Sequence, residues 1–248
     1  SDPAVLIVSG IHGNEFETAE LFEQSQAEFL IPRTQLLRTH LAAVFMGSRG
    51  YDVLVHSEEE ERIDLNRQFR FQGDEKRWSD FSSRISYPEA QLLLEALAHN
   101  SQSEYLFSFH EDPLRTNNFY IYDGVYKESQ DGLYEVIRHL RIELHAQLLA
   151  HGYKMLNGPD DAADPYLANI AKNGYIYQPL ISHQGIRKTD NTFESAAVEL
   201  GGKGLINIKR AFTFEIPGKL SRERKAQLIK IIQHHFIIPF LATQGITV

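Results

Sequence analysis

Short apolar runs of strand character alternate with stretches of helical periodicity along this chain, and that alternation restricts the fold more than any other feature. Val5 to Val8, Leu41 to Phe45, Tyr105 to Phe109 (YLFSF), Phe119 to Tyr122 (FYIY) and Leu205 to Phe214 read as strands. Helical patterns run from about Phe16 to Phe29, from Pro88 to about Leu97 and from Gly132 to Leu149. Ser221 caps a last amphipathic helix, SRERKAQLIKIIQHHF, which Pro239 helps to end. The acidic run SEEEER at Ser57 to Arg62 reads as a solvated loop, and Asn157 to Pro165 as a turn-rich one. Strands that alternate with helices call for a sheet covered on both faces, an α/β architecture. With no repeat, no low-complexity segment and no convincing linker, residues 1–248 are expected to form a single domain.

Composition removes several classes of function. The net charge of −8 argues against a phosphate-neutralising surface, so nucleic acid is not expected as a partner. No apolar run reaches the roughly 18 residues of a membrane span, and membrane insertion is not expected either. The chain has no cysteine, which excludes disulfides and thiolate metal sites and fits the cytoplasm. No methionine precedes Met46, so the start is expected to be trimmed or replaced, and a removed leader is compatible with that.

The first strand runs into the turn SGIHGNEF, where His12 and Glu15 stand among Gly10, Gly13 and Asn14. A strand-to-helix turn needs glycine for its geometry but has no need of an imidazole and a carboxylate. The spacing His-x-x-Glu is weak by itself and recurs at His56 and Glu59 in the acidic stretch. Position separates the two, because open α/β sheets bind ligands outside the carboxyl ends of their strands. A catalytic zinc site takes three protein ligands and keeps one position for water. His99, His139, His145, His151, His234 and His235 fall on helical patterns, His40 precedes a strand and His183 sits in a polar loop. His110 follows a buried strand directly, as His12 does, although a polar loop formed by His110, Glu111 and Asp112 explains it equally well.

Two further clusters bear on that choice. In ERIDLNRQF, Asp64 could hold the free nitrogen of a metal-bound imidazole, while Asn66 and Arg67 suit a carboxylate, since a guanidinium fork makes two parallel hydrogen bonds to one. A local ion pair between Asp64 and Arg67 is the plainer alternative. In AFTFEIPG, Glu215 ends a strand ahead of a Pro-Gly turn, a position from which a carboxylate can act as general base on a metal-bound water. An exposed strand-end glutamate is the plainer reading. No His-Glu-x-x-His helix, Gly-x-Ser-x-Gly elbow or complete phosphate-binding loop occurs.

Taken in order, GIHGNE, DLNRQF, FHED followed by FYIY, and FTFEIP resemble the zinc metallocarboxypeptidases and their succinylglutamate desuccinylase and aspartoacylase relatives. The resemblance spans positions 12 to 215. It implies a three-layer α/β/α sandwich with a mixed central sheet, of the zinc-dependent exopeptidase type. It also implies one Zn²⁺ held by His12, Glu15 and His110, with Glu215 activating the water and Asn66 and Arg67 holding the substrate's terminal carboxylate. The expected substrate is a small peptide cut at its C-terminus or an N-acyl amino acid; a non-catalytic zinc- or peptide-binding module is the remaining alternative. For the arginine that stabilises the oxyanion in this family, Arg49 is preferred over Arg62. A tyrosine lid would have to come from Tyr175 or Tyr177, or be absent. The Asp that many relatives carry two residues before the last histidine is Ser108 here. Glu194 and Glu199 read as a solvated helix face, with preference for a basic substrate side chain as the other reading.

Overall fold

The computed structural model describes residues 5–12, 15–25, 34–38, 45–46, 52–54, 61–62, 64–69, 76–113, 115–128, 131–156, 174–182, 185–186 and 191–246. In chain order the strands are β1 (Val5–Ser9), β2 (Thr34–Arg38), β3 (Phe45–Met46), β4 (Asp52–Leu54), β5 (Glu61–Arg62), β6 (Tyr105–Asp112), β7 (Asn118–Lys127), β8 (Lys154–Met155), β9 (Tyr175–Ser182), β10 (Gly185–Ile186) and β11 (Arg210–Pro217). The helices are α1 (Phe16–Ser25), α2 (Trp78–Ser82), α3 (Pro88–His99), α4 (Tyr134–Ala150), α5 (Phe193–Gly202), α6 (Arg222–Ile232) and α7 (Ile238–Thr243), with a 3-10 turn at Leu65–Arg67.

The main sheet has the order β10-β9-β7-β11-β6-β1-β2, with β8 added beside β7, and β3, β4 and β5 form a separate small antiparallel sheet. It is mixed: β2, β1, β6 and β11 run parallel, β7 runs antiparallel to β11, and β9 is parallel to β7. Alternating side chains divide the core in two. Val5 and Ile7 of β1 join Phe107, Phe109, Phe212 and Phe214 under α1, α4, α6 and α7. Leu6 and Val8 join Leu106 and Ala211 under α2, α3 and α5. The expected α/β/α layering is thus the observed one. It buries both faces of the central strands, which is why they read as continuous apolar runs.

Several boundaries differ from the sequence reading. β6 continues three residues beyond Phe109, so His110 lies within the strand and the polar-loop reading of residues 110–112 is wrong; pairing with β11 across Glu215, Ile216 and Pro217 extends it. β11 begins at Arg210 rather than Leu205 and carries Glu215 inside it. The edge strand β2 at Thr34–Arg38 escaped the sequence reading, and so did β9, whose Pro179 argues against a strand. Among the described residues, β10 pairs with Ile181 and Ser182 of β9 and leaves the edge beside that proline uncovered. Glu61 and Arg62 pair with β4 instead of looping out. Pro239 does not end the last helix. The chain widens into a π-turn over Gln233–Ile237, and Pro239 then sits in the first turn of α7, where its missing N–H costs nothing. Ser221 caps α6 as expected, accepting from the Arg224 N–H. Residues 41–44, 57–60 and 157–165 of the expected strand and loops lie outside the described residues.

Candidate active site

Parallel β1, β6 and β11 place their carboxyl ends side by side, and the chemistry-bearing residues gather there. Gly10, with φ of 72°, turns the chain out of β1 in a backbone conformation that glycine adopts without strain. His12 follows, and the Glu15 N–H donates to the His12 carbonyl at 3.0 Å, which brings Glu15 back towards the strand end as α1 begins. Glu111, next to His110, ties these segments together: its Oε1 accepts from the Thr18 N–H of α1 at 2.8 Å and its Oε2 meets the buried Lys225 of α6 at 2.6 Å.

His12, Glu15 and His110 converge. His12 Nδ1 lies 2.8 Å from Glu15 Oε1, and His110 Nδ1 lies 3.2 Å from the same oxygen and 3.3 Å from His12 Nδ1. The opposite ring nitrogens are both taken by carboxylates. His12 Nε2 lies 3.0 Å from Asp64 Oδ1, and His110 Nε2 lies 3.0 Å from Glu194 Oε1. Each Nε2 therefore carries a hydrogen, and in the neutral rings both Nδ1 lone pairs point at one another and at Glu15. Such a cluster is stable only around a cation, which is either a proton on the imidazoles or a metal ion. The electrostatics agree. Burial works against the charged His12 imidazole, but Glu15 together with hydrogen bonds to Asp64 and Glu15 outweighs it and raises the group to about 10. Burial likewise opposes charging of His110, and Glu15 and Glu194 carry it well above its usual range. Glu15 is lowered in turn: burial alone would raise it, and the two imidazoles overcome that.

The donor set fits a divalent metal. One atom each from His12, Glu15 and His110 lies within 4.8 Å of the others, and Glu15 Oε2, buried and 3.2 Å from His110 Nδ1, accepts no hydrogen bond among the described residues. Two imidazole nitrogens and a carboxylate are a donor set that suits zinc.

Glu215 stands beside this cluster. In the sheet register it is paired with His110 on one side and Tyr120 on the other, so the three side chains leave the same face of neighbouring strands, which lie about 4.8 Å apart. Glu215 is partly exposed in an otherwise buried strand, neither the exposed strand-end glutamate of the plainer reading nor a fully enclosed one. Desolvation by its surroundings pushes its carboxyl up to about 7, with Glu15 and Asp112 adding to the rise and His110 opposing it. A carboxyl held near neutrality next to a metal cluster has the proton affinity that base and acid roles at neutral pH require. Tyr120 donates to Asp112 Oδ2 at 2.8 Å on the same side.

The remaining residues divide. The Leu65–Arg67 turn, capped by Asp64, puts Arg67 half in solvent, its Nε 4.0 Å from Asp64 Oδ2. Asn66 is buried. Arg49 lies outside the described residues, as do His40, His56, Glu59 and His183; of Arg62 only the backbone is described, in β5. The lid reading of Tyr175 and Tyr177 is wrong, because Tyr175 donates to Asp123 and Tyr177 to Asp131 at 2.8 Å, and both carboxylates are bound by the buried Arg210 at the start of β11. The solvated-face reading of Glu194 and Glu199 fails as well. Both are 7% exposed; Glu194 faces His110 and Asn66, and Glu199 pairs with Lys203 at 3.0 Å. A carboxylate two residues into a capped helix that also carries Phe193, Ala196, Ala197 and Leu200 was the available signal for burial, but its partner could not be read from spacing.

Solved structures with this arrangement of elements bear on the fold. A candidate metallopeptidase from Shewanella baltica OS155 superposes with a TM-score of 0.58 at 21% identity, over 95% of this chain and 76% of its own. A second from Shewanella amazonensis SB2B gives 0.58 at 17% identity, over 96% and 77%. This is a metallopeptidase-like fold. A candidate succinylglutamate desuccinylase/aspartoacylase family protein from Shewanella amazonensis SB2B has the same metallopeptidase-like fold, with a TM-score of 0.52 at 11% identity over 99% of this chain and 66% of its own. No protein-family model and no curated protein matches the sequence. Among the described residues, no helix is long and apolar enough to cross a membrane.

Proposed function

We propose that the protein is a zinc-dependent hydrolase that cleaves an amide bond next to a free carboxylate, in the first instance a metallocarboxypeptidase removing C-terminal residues from small peptides, with residues 1–248 acting as one catalytic unit. The observation that carries this reading is the convergence of His12 Nδ1, Glu15 and His110 Nδ1, each imidazole backed by a carboxylate, beside a glutamate held near neutral pKa. The likeness in fold to candidate metallopeptidases supports the hydrolase class.

His12, Glu15 and His110 would hold one Zn²⁺, whose chemistry is to polarise the scissile carbonyl and acidify a water. Glu215 takes the water's proton on its carboxylate and passes it to the leaving amine. Asp64 accepts from His12 Nε2 and keeps that ring turned inward. Arg67, half exposed beside this cluster, pairs with the substrate's carboxylate and aligns the bond to be cut. Arg49 is the proposed oxyanion partner.

A deacylase acting on N-acyl amino acids is the second reading, supported by the fold likeness to the desuccinylase/aspartoacylase family protein. Elemental analysis of the purified protein, paired with a hydrolysis screen of free-carboxylate peptides beside N-acyl amino acids, tests both. Stoichiometric zinc with release of a C-terminal residue is expected. Zinc with cleavage of acyl amino acids alone selects the deacylase. No metal and no turnover after zinc addition refutes a hydrolase and leaves a binding module.

A further inference from the structure

Asn66, which the resemblance would turn towards substrate, has its amide turned into the protein. Its Oδ1 accepts from the Phe193 N–H of α5 at 2.8 Å, and its Nδ2 donates to Glu194 Oε2 at 3.2 Å. The other oxygen of Glu194 accepts from His110 Nε2 at 3.0 Å. The backbone N–H of Asn66 donates to Asp64 Oδ1 at 2.9 Å, the same oxygen that faces His12 Nε2. One residue, 5% exposed, thus touches both carboxylates that hold the two imidazoles, although Asp64 and Glu194 lie on separate elements.

We propose that Asn66 and Glu194 form a positioning bridge that aims His110 and His12 at a common metal ion, and that the grip on a substrate carboxylate falls to Arg67 without Asn66. The proposal rests on the zinc-hydrolase reading. Its chemistry is specific to the residue types. Glu194 must accept from two donors at once, one imidazole N–H and one amide N–H, which an ionised carboxylate does and an amide cannot. Asn66 must accept from a backbone N–H with one end and donate with the other, which an amide does and a carboxylate cannot. Carboxylates that hold metal-bound imidazoles are worth roughly 10- to 100-fold in metal affinity.

Zinc affinity measured by chelator competition on the full chain, in wild type, Glu194→Gln, Asn66→Asp and the double variant, tests the bridge. Glu194→Gln sets its new NH₂ against a donor, and Asn66→Asp sets two buried carboxylates against each other. Each single change is expected to weaken zinc binding roughly 10- to 100-fold. In the double variant the amide at 194 accepts from His110 and donates to the carboxylate at 66, which still accepts from the Phe193 N–H. Affinity there should recover about tenfold over the weaker single variant, and the visible spectrum of the cobalt-substituted protein should return towards that of wild type. Asn66→Ala, assayed at saturating zinc, should keep the preference for a free-carboxylate peptide over the same peptide with a C-terminal amide. Wild-type affinity in both single variants, a double variant no better than the singles, or loss of that preference in Asn66→Ala overturns the bridge alone. A wild-type protein that binds no zinc overturns the hydrolase reading and the bridge with it.

Discussion

Replacing Glu215 by glutamine should slow the proposed hydrolysis and, at alkaline pH, stabilise the metal-free protein. Burial, with Glu15 and Asp112 nearby, moves this carboxyl from 4.5 to about 7. Below pH 4.5 it is protonated in both folded and unfolded chains and has no effect on their balance. Between 4.5 and 7 the unfolded chain ionises while the folded one stays neutral, so the unfolded state is favoured increasingly as pH rises. Above 7 the cost is complete. At about 1.4 kcal/mol for each tenfold in acidity, the full shift corresponds to at most on the order of 3 kcal/mol, reduced by the water that reaches this partly exposed carboxyl. Glutamine has the same shape and no charge to bury. Denaturant melts of chelator-treated Glu215→Gln and wild type at pH 4 and pH 8 should therefore differ: near parity at pH 4, and a gain of up to about 3 kcal/mol at pH 8. Zinc content should be unchanged, because Glu215 lies outside the His12, Glu15 and His110 donor cluster. Turnover should fall by roughly 10²- to 10⁴-fold, the usual contribution of a general base. A variant that is equally destabilised at both pH values would refute the burial argument, and unchanged turnover would refute the assigned role.

Three other perturbations probe separate parts of the structure. His110→Ala removes one of the two converging imidazoles, and metal analysis after dialysis should find the zinc lost; full occupancy would take His110 out of the ligand set. Arg67→Ala should raise KM about tenfold for substrates with a free carboxylate and leave kcat nearly unchanged, at the low end for a charge-assisted hydrogen bond because Arg67 is half exposed. An equal rise for substrates lacking the carboxylate would count against the clamp. Asp131 is lowered despite its burial, by hydrogen bonds and charge from Arg210 and by the Tyr177 hydroxyl. Its contribution to stability is complete above the usual carboxyl value of 3.8 and is lost as pH falls through its lower folded value. Asp131→Asn should thus be destabilised at pH 7, with a deficit that shrinks below pH 4; a deficit independent of pH would show that charge is not its cause.

The chemical types and their order were legible in the linear chain because strand ends carry a local signature. An apolar run followed at once by His12 and Glu15, by His110 or by Glu215 is visible within ten residues. The sheet's layering follows from those same runs, since only a strand covered on both faces reads as apolar throughout. Strand limits were less legible. Pairing between β6 and β11 extends each of them over residues such as His110, Glu111 and Glu215, whose polarity argues for a loop when neighbours are ignored.

What the sequence by itself determined is which groups stand where strands end: two imidazoles, a carboxylate in reach of them, and the glutamate of β11. Only the tertiary structure decided what surrounds them. Glu194 looks like any acidic residue near a helix start, and becomes the partner of His110 because α5 packs over β6. Tyr175 and Tyr177 look free to close over a substrate, and are instead bound to Asp123 and Asp131 around the buried Arg210. The physical reason is the same in each case. Burying a charge requires a partner within hydrogen-bonding distance, and that partner is supplied by packing between segments dozens of residues apart, where spacing along the chain carries no information.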